Sequence, residues 1–243
     1  MRLVLHCEPR IPWQPKRAAY FLEGFRRKGI ECEVTDSRQR LDERPAVLLG
    51  TSCWRAVEAT GSHLLVDRCS FGDTEKFVSL VWNGHGRRGR HMVPHNANGE
   101  RWERYGVPIE NWKYGSRVIL CGQTETYSPR FQRLEDWYRT VSATHFRKHP
   151  AGDNPTGLPD AVTFDDCSEV ITLNSSVAVQ CVLSGYPVVA MDEGSMAWDV
   201  SGHRVGDLKH VGHDQRRAWA EWLAWTQWTD DEIREGAPWD YHL

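Results

Sequence analysis

Short apolar runs alternate with helix-length stretches along the first part of the chain. Buried strands are predicted at Met1–Cys7, Ile30–Thr35, Ala46–Leu49 and Leu64–Val66, with helices at Lys16–Lys28 and Ser52–Ala59. In the first helix Phe21, Leu22 and Phe25 recur at helical spacing, and Gly29 ends it. This rhythm predicts a parallel sheet with crossover helices.

The same rhythm returns in the second half. Strands are predicted at Arg117–Cys121, Thr144–Lys148, Glu169–Leu173 and Val188–Met191, with helices at Gln132–Ala143, at a segment that Asn174-Ser175-Ser176 opens and Gly185 ends, and at Gln215–Gln227. A capping box at Thr229-Asp230-Asp231-Glu232 begins a last helix. We therefore predict an α/β protein with two similar halves that meet near Asn111–Gly115.

The stretch from Ser70 to Asn111 interrupts the rhythm and is predicted to be a long loop region. It is rich in glycine and, from His85 to Arg104, in arginine. A solvated loop and a surface for an anionic partner both fit this composition. The length of the loop favours the second interpretation.

Composition narrows the class of protein. The formal net charge of the 243 residues is −3, which excludes a histone-like polycation but allows a local basic face. No apolar run approaches the roughly 20 residues of a membrane span, and the apolar start is too short for a signal peptide. The 7 cysteines form no C-x-x-C pair, so we expect a reduced, cytoplasmic protein without a zinc site or disulfide framework.

Polar residues follow several predicted strands of the second half. Asn174-Ser175-Ser176 joins a strand to a helix, which indicates either an ordinary N-cap or an anion site. Arg147-Lys148-His149-Pro150 and Gly122-Gln123-Thr124 follow two other strands. Because the carboxyl ends of parallel strands share one edge, we expect these residues to converge on one crevice.

A resemblance follows from these motifs. His149-Pro150 and the run Asn174–Val189 resemble the donor half of GT-B glycosyltransferases of the capsule-polysaccharide and Kdo-transferase type, which carry an HP turn and then TLNSS-x-x-x-EAL-x-x-G-x-PVV. The similarity extends over Arg117–Asp192, and Gln180 and Cys181 replace the usual Glu-Ala pair. The segments Val66–Asp73 and Ser79–Gly84 are similar to short glycosyltransferase-like proteins of tailed bacteriophages.

The resemblance implies two Rossmann-like domains that face each other across a cleft, the GT-B architecture. Residues 1–113 would form the acceptor domain, and residues 114–243 would form the nucleotide-sugar domain with its terminal helices. Such enzymes work without a metal, and the chain has no D-x-D triplet. The nucleotide sugar would be a co-substrate, no further cofactor is expected, and the enzyme would lie in the cytoplasm, that of the host if a phage encodes it.

The resemblance also implies roles for individual residues. Donor binding is expected of Gly122, Gln123, Thr124, Arg147, Lys148, His149, Asn174, Ser175 and Ser176. The general base would come from the other domain, with Asp67, Asp73 and His85 as catalytic candidates and Glu8 as an alternative. In these roles the donor-site groups stabilise the departing nucleotide, and the base deprotonates the acceptor hydroxyl.

The phage-like similarity implies a hydroxymethylated pyrimidine in double-stranded DNA as the acceptor. Arg87, Arg88 and Arg90 would then contact phosphates, and Trp82 or Trp102 would stack on a flipped base. Three alternatives remain open. The acceptor could be a saccharide such as a surface polysaccharide, the protein could bind nucleotide sugars without catalysis, as the Gln180-Cys181 departure favours, or it could be a sugar-nucleotide epimerase.

Overall fold

The computed structural model describes residues 2–36, 44–50, 62–73, 75–123 and 133–242. Its strands are β1 (Arg2–Cys7), β2 (Glu31–Asp36), β3 (Ala46–Leu49), β4 (His63–Arg68), β5 (Phe77–Trp82), β6 (Arg117–Cys121), β7 (His145–Arg147), β8 (Cys167–Thr172), β9 (Val188–Ala190) and β10 (Gln227–Thr229). Its α-helices are α1 (Trp13–Arg27), α2 (Glu100–Tyr105), α3 (Leu134–Tyr138), α4 (Val177–Leu183), α5 (His213–Ala224), α6 (Asp230–Glu235) and α7 (Trp239–His242). The predicted α/β class is confirmed.

The chain divides into two compact units. Unit 1 comprises Met1–His85, Gly89–Asn98 and Trp222–Leu243, and unit 2 comprises Gly86–Arg88 and Gly99–Glu221. This division differs from the single boundary expected between residues 113 and 114. The difference has a structural cause, since β10 pairs with β5 and so joins the end of the chain to the first sheet.

Unit 1 contains a six-stranded sheet in the order β10-β5-β4-β3-β1-β2. The strands β2, β1, β3 and β4 are parallel, whereas β5 and β10 are antiparallel to their neighbours. Alternate apolar residues of the strands face one core, where Phe21 and Phe25 of α1 meet Trp228 and Trp239. The sequence predicted the parallel strands, because they are short apolar runs between turn residues.

Unit 2 contains a four-stranded parallel sheet in the order β7-β6-β8-β9. Its core includes Leu120, Phe146, Ile171 and Val189 from the strands, and Trp137 from α3. The order is that of the parallel strands of unit 1, so the two halves repeat one topology. It also fixes a topological switch point between β6 and β8, the place where open α/β sheets bind ligands.

The structure corrects the loop predicted for Ser70–Asn111. This stretch contains β5 and α2, and β5 is buried between β4 and β10. The strand was missed because the glycine-rich sequence after Trp82 dominated the pattern. The predicted helix Gln215–Gln227 ends at Ala224, since the next residues enter β10. The predicted helix Ser52–Ala59 lies outside the described residues, and the capping box at Thr229 is confirmed.

The imidazole of His63 at the start of β4 makes unit 1 sensitive to acid. His63 is 7% exposed, and neither ring nitrogen has a hydrogen-bond partner among the described residues. Burial lowers the pKa of His63 below its ordinary value of 6.5. Between these two pKa values the unfolded chain takes up the proton and the folded chain does not, so stability is lost as pH falls below the ordinary value.

We expect His63→Leu to remove part of this pH dependence. Urea unfolding above and below the ordinary histidine pKa, with wild type and variant side by side, measures the effect. An equally steep loss of stability in the variant on acidification would contradict it.

Candidate functional site

Polar side chains from the ends of β6 and β8 meet at the switch point of unit 2. Gln123 follows β6, and its Nε2 donates a hydrogen bond to Oδ1 of Asn174, which follows β8, at 2.9 Å. The Oε1 atom of Gln123 accepts hydrogen bonds from the backbone N–H groups of Leu173 and Asn174, each at 3.0 Å. This single side chain therefore bridges the two strand ends. The structure shows this internal role of Gln123, and its contact with a ligand stays a prediction.

Tyr138 of α3 holds the backbone of Gln123 in place. Its hydroxyl accepts a hydrogen bond from the Gln123 N–H at 3.0 Å and donates one to the Gln123 carbonyl at 3.2 Å. Burial raises the pKa of Tyr138, so the phenol stays protonated and remains a donor. The sequence predicted only a helix at Gln132–Ala143 for this segment. No local pattern marks its contact with Gln123.

Because Gly122 has no side chain, the loop after β7 can closely approach the end of β6. The Gly122 N–H donates to the carbonyl of Arg147 at 2.8 Å. A Cβ at this position would lie 2.8 Å from Cζ of Phe146 and 3.2 Å from the backbone nitrogen of His149. Glycine is therefore required for this close approach, and the ends of β6, β7 and β8 converge as predicted.

His149 is partly exposed beside Gly122. Its Nδ1 accepts a hydrogen bond from the Ala151 N–H at 3.1 Å, so the neutral imidazole carries its proton on Nε2. Lys148 is exposed next to it. Arg147 is engaged differently, since its guanidinium donates to the Val162 carbonyl and stacks over Phe164 at 4.7 Å from the ring centre. The Nε2–H group of His149 and the ammonium group of Lys148 can thus contact a ligand.

The residues before α4 depart from a simple helix cap. The Oγ of Ser175 accepts a hydrogen bond from the Val177 N–H at 3.4 Å, whereas the side chain of Ser176, the N-cap residue, caps nothing. The Nδ2 atom of Asn174 is buried and has no hydrogen-bond partner in the described part of the chain. An unmet buried donor costs about 1–3 kcal/mol. Thr124, the last expected donor-site residue, lies outside the described residues.

In unit 1, Asp67 and His85 form a pair. Asp67 lies near the end of β4, and its Oδ2 is 3.0 Å from Nε2 of His85. Burial raises the pKa of the Asp67 carboxyl, but the hydrogen bond and charge interaction with His85, with a contribution from Arg68, outweigh this and hold the pKa below 3.8. Asp67 is therefore ionised at neutral pH. A carboxylate beside an imidazole is a typical general-base pair.

Of the other proposed carboxylates, that of Asp73 has a local role in a turn. Oδ1 of Asp73 accepts from the Glu75 N–H at 2.9 Å, and its Oδ2 is 3.5 Å from Nζ of Lys76. Asp73 is thus a turn residue on the surface. Glu8 follows β1, and its N–H donates to Oε1 of Gln14 at 2.6 Å.

Two of the three arginines expected to contact phosphates are engaged by carboxylates of unit 2. Arg87 pairs with both carboxylate oxygens of Asp199 at 2.8 and 3.0 Å. Arg88 pairs with both oxygens of Asp192 at 2.7 and 2.8 Å, and the Asp192 side chain is only 3% exposed. These bidentate pairs compensate the positive charges of Arg87 and Arg88, which the sequence suggested would contact the phosphates of a nucleic acid. Arg90 is exposed.

The tryptophans expected to stack on a base are buried. Trp82 is 5% exposed within the core of unit 1, and Trp102 is 2% exposed. Neither indole face is therefore available for an acceptor. The expectation failed because Trp82 was assigned to a loop, whereas it is the last residue of β5.

No helix in the part of the chain that the structure describes has the length and apolarity of a membrane span, and the His, Cys, Asp and Glu side chains of this part form no cluster that could hold a metal ion. No family model and no characterised protein sequence matches the chain significantly.

Proposed function

We propose that the protein is a glycosyltransferase of the GT-B type, which moves a sugar from a nucleotide sugar to an acceptor hydroxyl. The observation that carries the proposal is the convergence of Gln123, His149 and Asn174 at the switch point of unit 2. The glycosyltransferase-like motifs of the sequence fall on these same strand ends. The domain arrangement in which one unit holds the donor and the other the acceptor belongs to this proposal.

The residues of unit 2 supply donor binding. The Nε2–H group of His149 offers a hydrogen bond to phosphate oxygens, and the exposed Lys148 offers positive charge. The Asn174 amide and the hydroxyl of Ser176 offer neutral hydrogen bonds beside them. When the bond between the anomeric carbon and the phosphate oxygen breaks, these groups stabilise the negative charge on the leaving nucleotide.

The residues of unit 1 supply the base. The acceptor hydroxyl attacks the anomeric carbon and loses its proton to the Asp67–His85 pair, in which ionised Asp67 stabilises the protonated imidazole. Asp73 is removed from this role because its carboxylate is a turn acceptor. The base therefore consists of two of the three catalytic candidates.

A saccharide hydroxyl fits the site better than DNA. Arg87 and Arg88 are paired with carboxylates and Trp82 is buried, so most of the features that suggested a DNA acceptor serve the fold instead. Neutralising the exposed Arg90 by Arg90→Gln is expected to leave transfer unchanged.

His149→Ala is expected to weaken nucleotide-sugar binding by about 10- to 100-fold, since it removes a hydrogen bond to phosphate. Isothermal titration calorimetry with a panel of nucleotide sugars measures the effect. His145→Ala, which removes an imidazole from the first residue of β7, at the opposite end of the strand from His149, is the matched control. Equal affinity of wild type and His149→Ala for every bound donor would remove His149 from the site.

Mass spectrometry tests the function itself. The protein is incubated with nucleotide sugars and with either oligosaccharides or DNA that contains hydroxymethylated pyrimidines. A saccharide product supports the proposal, and a DNA product would keep transfer but overturn the acceptor. Binding without transfer or hydrolysis would favour the non-catalytic alternative, which the exposed Gln180 at the position of the usual glutamate suggests.

A further inference from the structure

The amide of Gln123 fixes the orientation of the Asn174 amide. The atom of Gln123 that meets the N–H groups of Leu173 and Asn174 must be the oxygen, because an NH₂ group cannot accept hydrogen bonds. Its Nε2 then faces Asn174 as a donor, and it requires the oxygen of Asn174 opposite it. The two backbone N–H groups thus determine the orientation of both amides.

In this orientation the NH₂ group of Asn174 does not face Gln123. Nδ2 is buried and lacks a hydrogen-bond partner among the described residues. Asn174 as a whole is partly exposed just after β8. An acceptor atom from a ligand would satisfy the unmet donor.

We propose that Tyr138, Gln123 and Asn174 form a lock that presents a hydrogen-bond donor at the switch point, so that the site selects acceptor-rich groups, a diphosphate above all. Tyr138 is a positioning residue in this lock, and Asn174 makes the contact. The choice of diphosphate rests on the proposed function, whereas the polarity of the amide rests on the hydrogen bonds alone.

The aromatic surroundings of Tyr138 make it suitable for this role. Its ring packs at 5.0 Å from Trp137 and edge-to-face at 5.5 Å from Phe146, measured between ring centres. Tyr138→Phe therefore keeps the packing and removes only the hydroxyl that holds both ends of the Gln123 peptide.

The test uses inorganic pyrophosphate and two isosteric variants. Asn174→Asp removes the donor and adds a charge, and we expect at least about 100-fold weaker binding. Gln123→Glu keeps the acceptor for the two N–H groups but removes the donor, so the Asn174 amide turns its oxygen towards the ligand. Here we expect about 10-fold weaker binding or more. Asn111→Asp adds the same charge at an exposed position of unit 2 and is the control.

A second readout reports the amide directly. In ¹⁵N NMR spectra, the side-chain NH₂ signals of Asn174, assigned by their loss in Asn174→Asp, should shift when pyrophosphate is added to the wild type. In Tyr138→Phe we expect a smaller shift of these signals and about 5-fold weaker pyrophosphate binding. The circular dichroism spectrum of this variant should match that of the wild type. A purely structural role of Tyr138 would alter thermal stability but not this shift.

The outcomes separate the lock from the proposed function. Pyrophosphate binding that depends on Asn174 supports the lock even if no sugar is transferred. Transfer without pyrophosphate binding, or an affinity that Asn174→Asp leaves unchanged, overturns the lock and leaves the function standing. Unshifted Asn174 signals in the wild type would also overturn it.

Discussion

His85→Ala is expected to reduce the rate of sugar transfer by about 10²- to 10⁴-fold, the usual contribution of a general base. The imidazole lies 3.0 Å from the Asp67 carboxylate, and its loss leaves no group of comparable basicity in the pair. Donor affinity should not change, because the residues that we propose for donor binding lie in unit 2. Steady-state kinetics with a product-detecting assay separate the two parameters.

Asp67→Asn tests the other half of the pair. An amide keeps the shape of the side chain and loses the charge that stabilises the protonated imidazole, so the rate should again fall by at least about 10²-fold. Asp73→Asn is the matched control, since Asp73 is an exposed carboxylate of the same unit with a turn as its partner. Equal losses in Asp67→Asn and Asp73→Asn, or full activity in His85→Ala, would contradict the assignment.

Arg216→Ala is expected to reduce the free energy of unfolding by about 3 kcal/mol. Arg216 lies on α5 and is 2% exposed. Its Nη1 donates to the carbonyls of Glu110 and Val182 at 2.8 and 3.2 Å, and its guanidinium lies 4.1 Å from the centre of the Trp112 ring. Truncation leaves a cavity, deprives the Glu110 and Val182 carbonyls of the guanidinium donor, although the Val182 carbonyl keeps the N–H of Gly185, and takes the cation from the Trp112 ring. Urea unfolding followed by tryptophan fluorescence measures the loss.

Arg217→Ala provides the comparison for this prediction. Arg217 is the next residue of α5, but its side chain is 34% exposed and pairs with Glu103 and Glu221. Exposed ion pairs contribute at most about 1 kcal/mol, so the two neighbouring substitutions should differ clearly. A loss in Arg217→Ala as large as in Arg216→Ala would show that the burial of the guanidinium does not decide the effect.

The parts of the fold that follow local rules could be predicted from the sequence. Ala46–Leu49 and Arg117–Cys121 have the predicted bounds, because each is a buried apolar run, and a parallel strand buried on both faces needs no other signal. The three strand ends of unit 2 converge for the same reason, since parallel strands place their carboxyl ends at one edge. The pairing of Asp67 with His85 joins two residues that the sequence had proposed separately.

The sequence predictions that failed concern residues whose contact partners are distant in the chain. Arg88 was expected on a basic surface, but the carboxylate that binds it belongs to Asp192. Trp82 was expected in a loop, but its environment is a core completed by Trp228 and Trp239. Tyr138 carries no motif, and only the folded chain brings it to Gln123. Local pattern determines a strand or a turn, whereas the availability of a side chain depends on residues far away in the sequence.

The pairing of β10 with β5 also limits the order in which the two units can fold during synthesis on the ribosome. The first sheet is started by the earliest residues, yet its last strand is translated only after the whole of unit 2. Until then β5 offers an unpaired edge, and its neighbours in the core lack Trp228 and Trp239. Unit 2 can therefore complete its own sheet first, and the sheet of unit 1 is completed only when β10 has been synthesised.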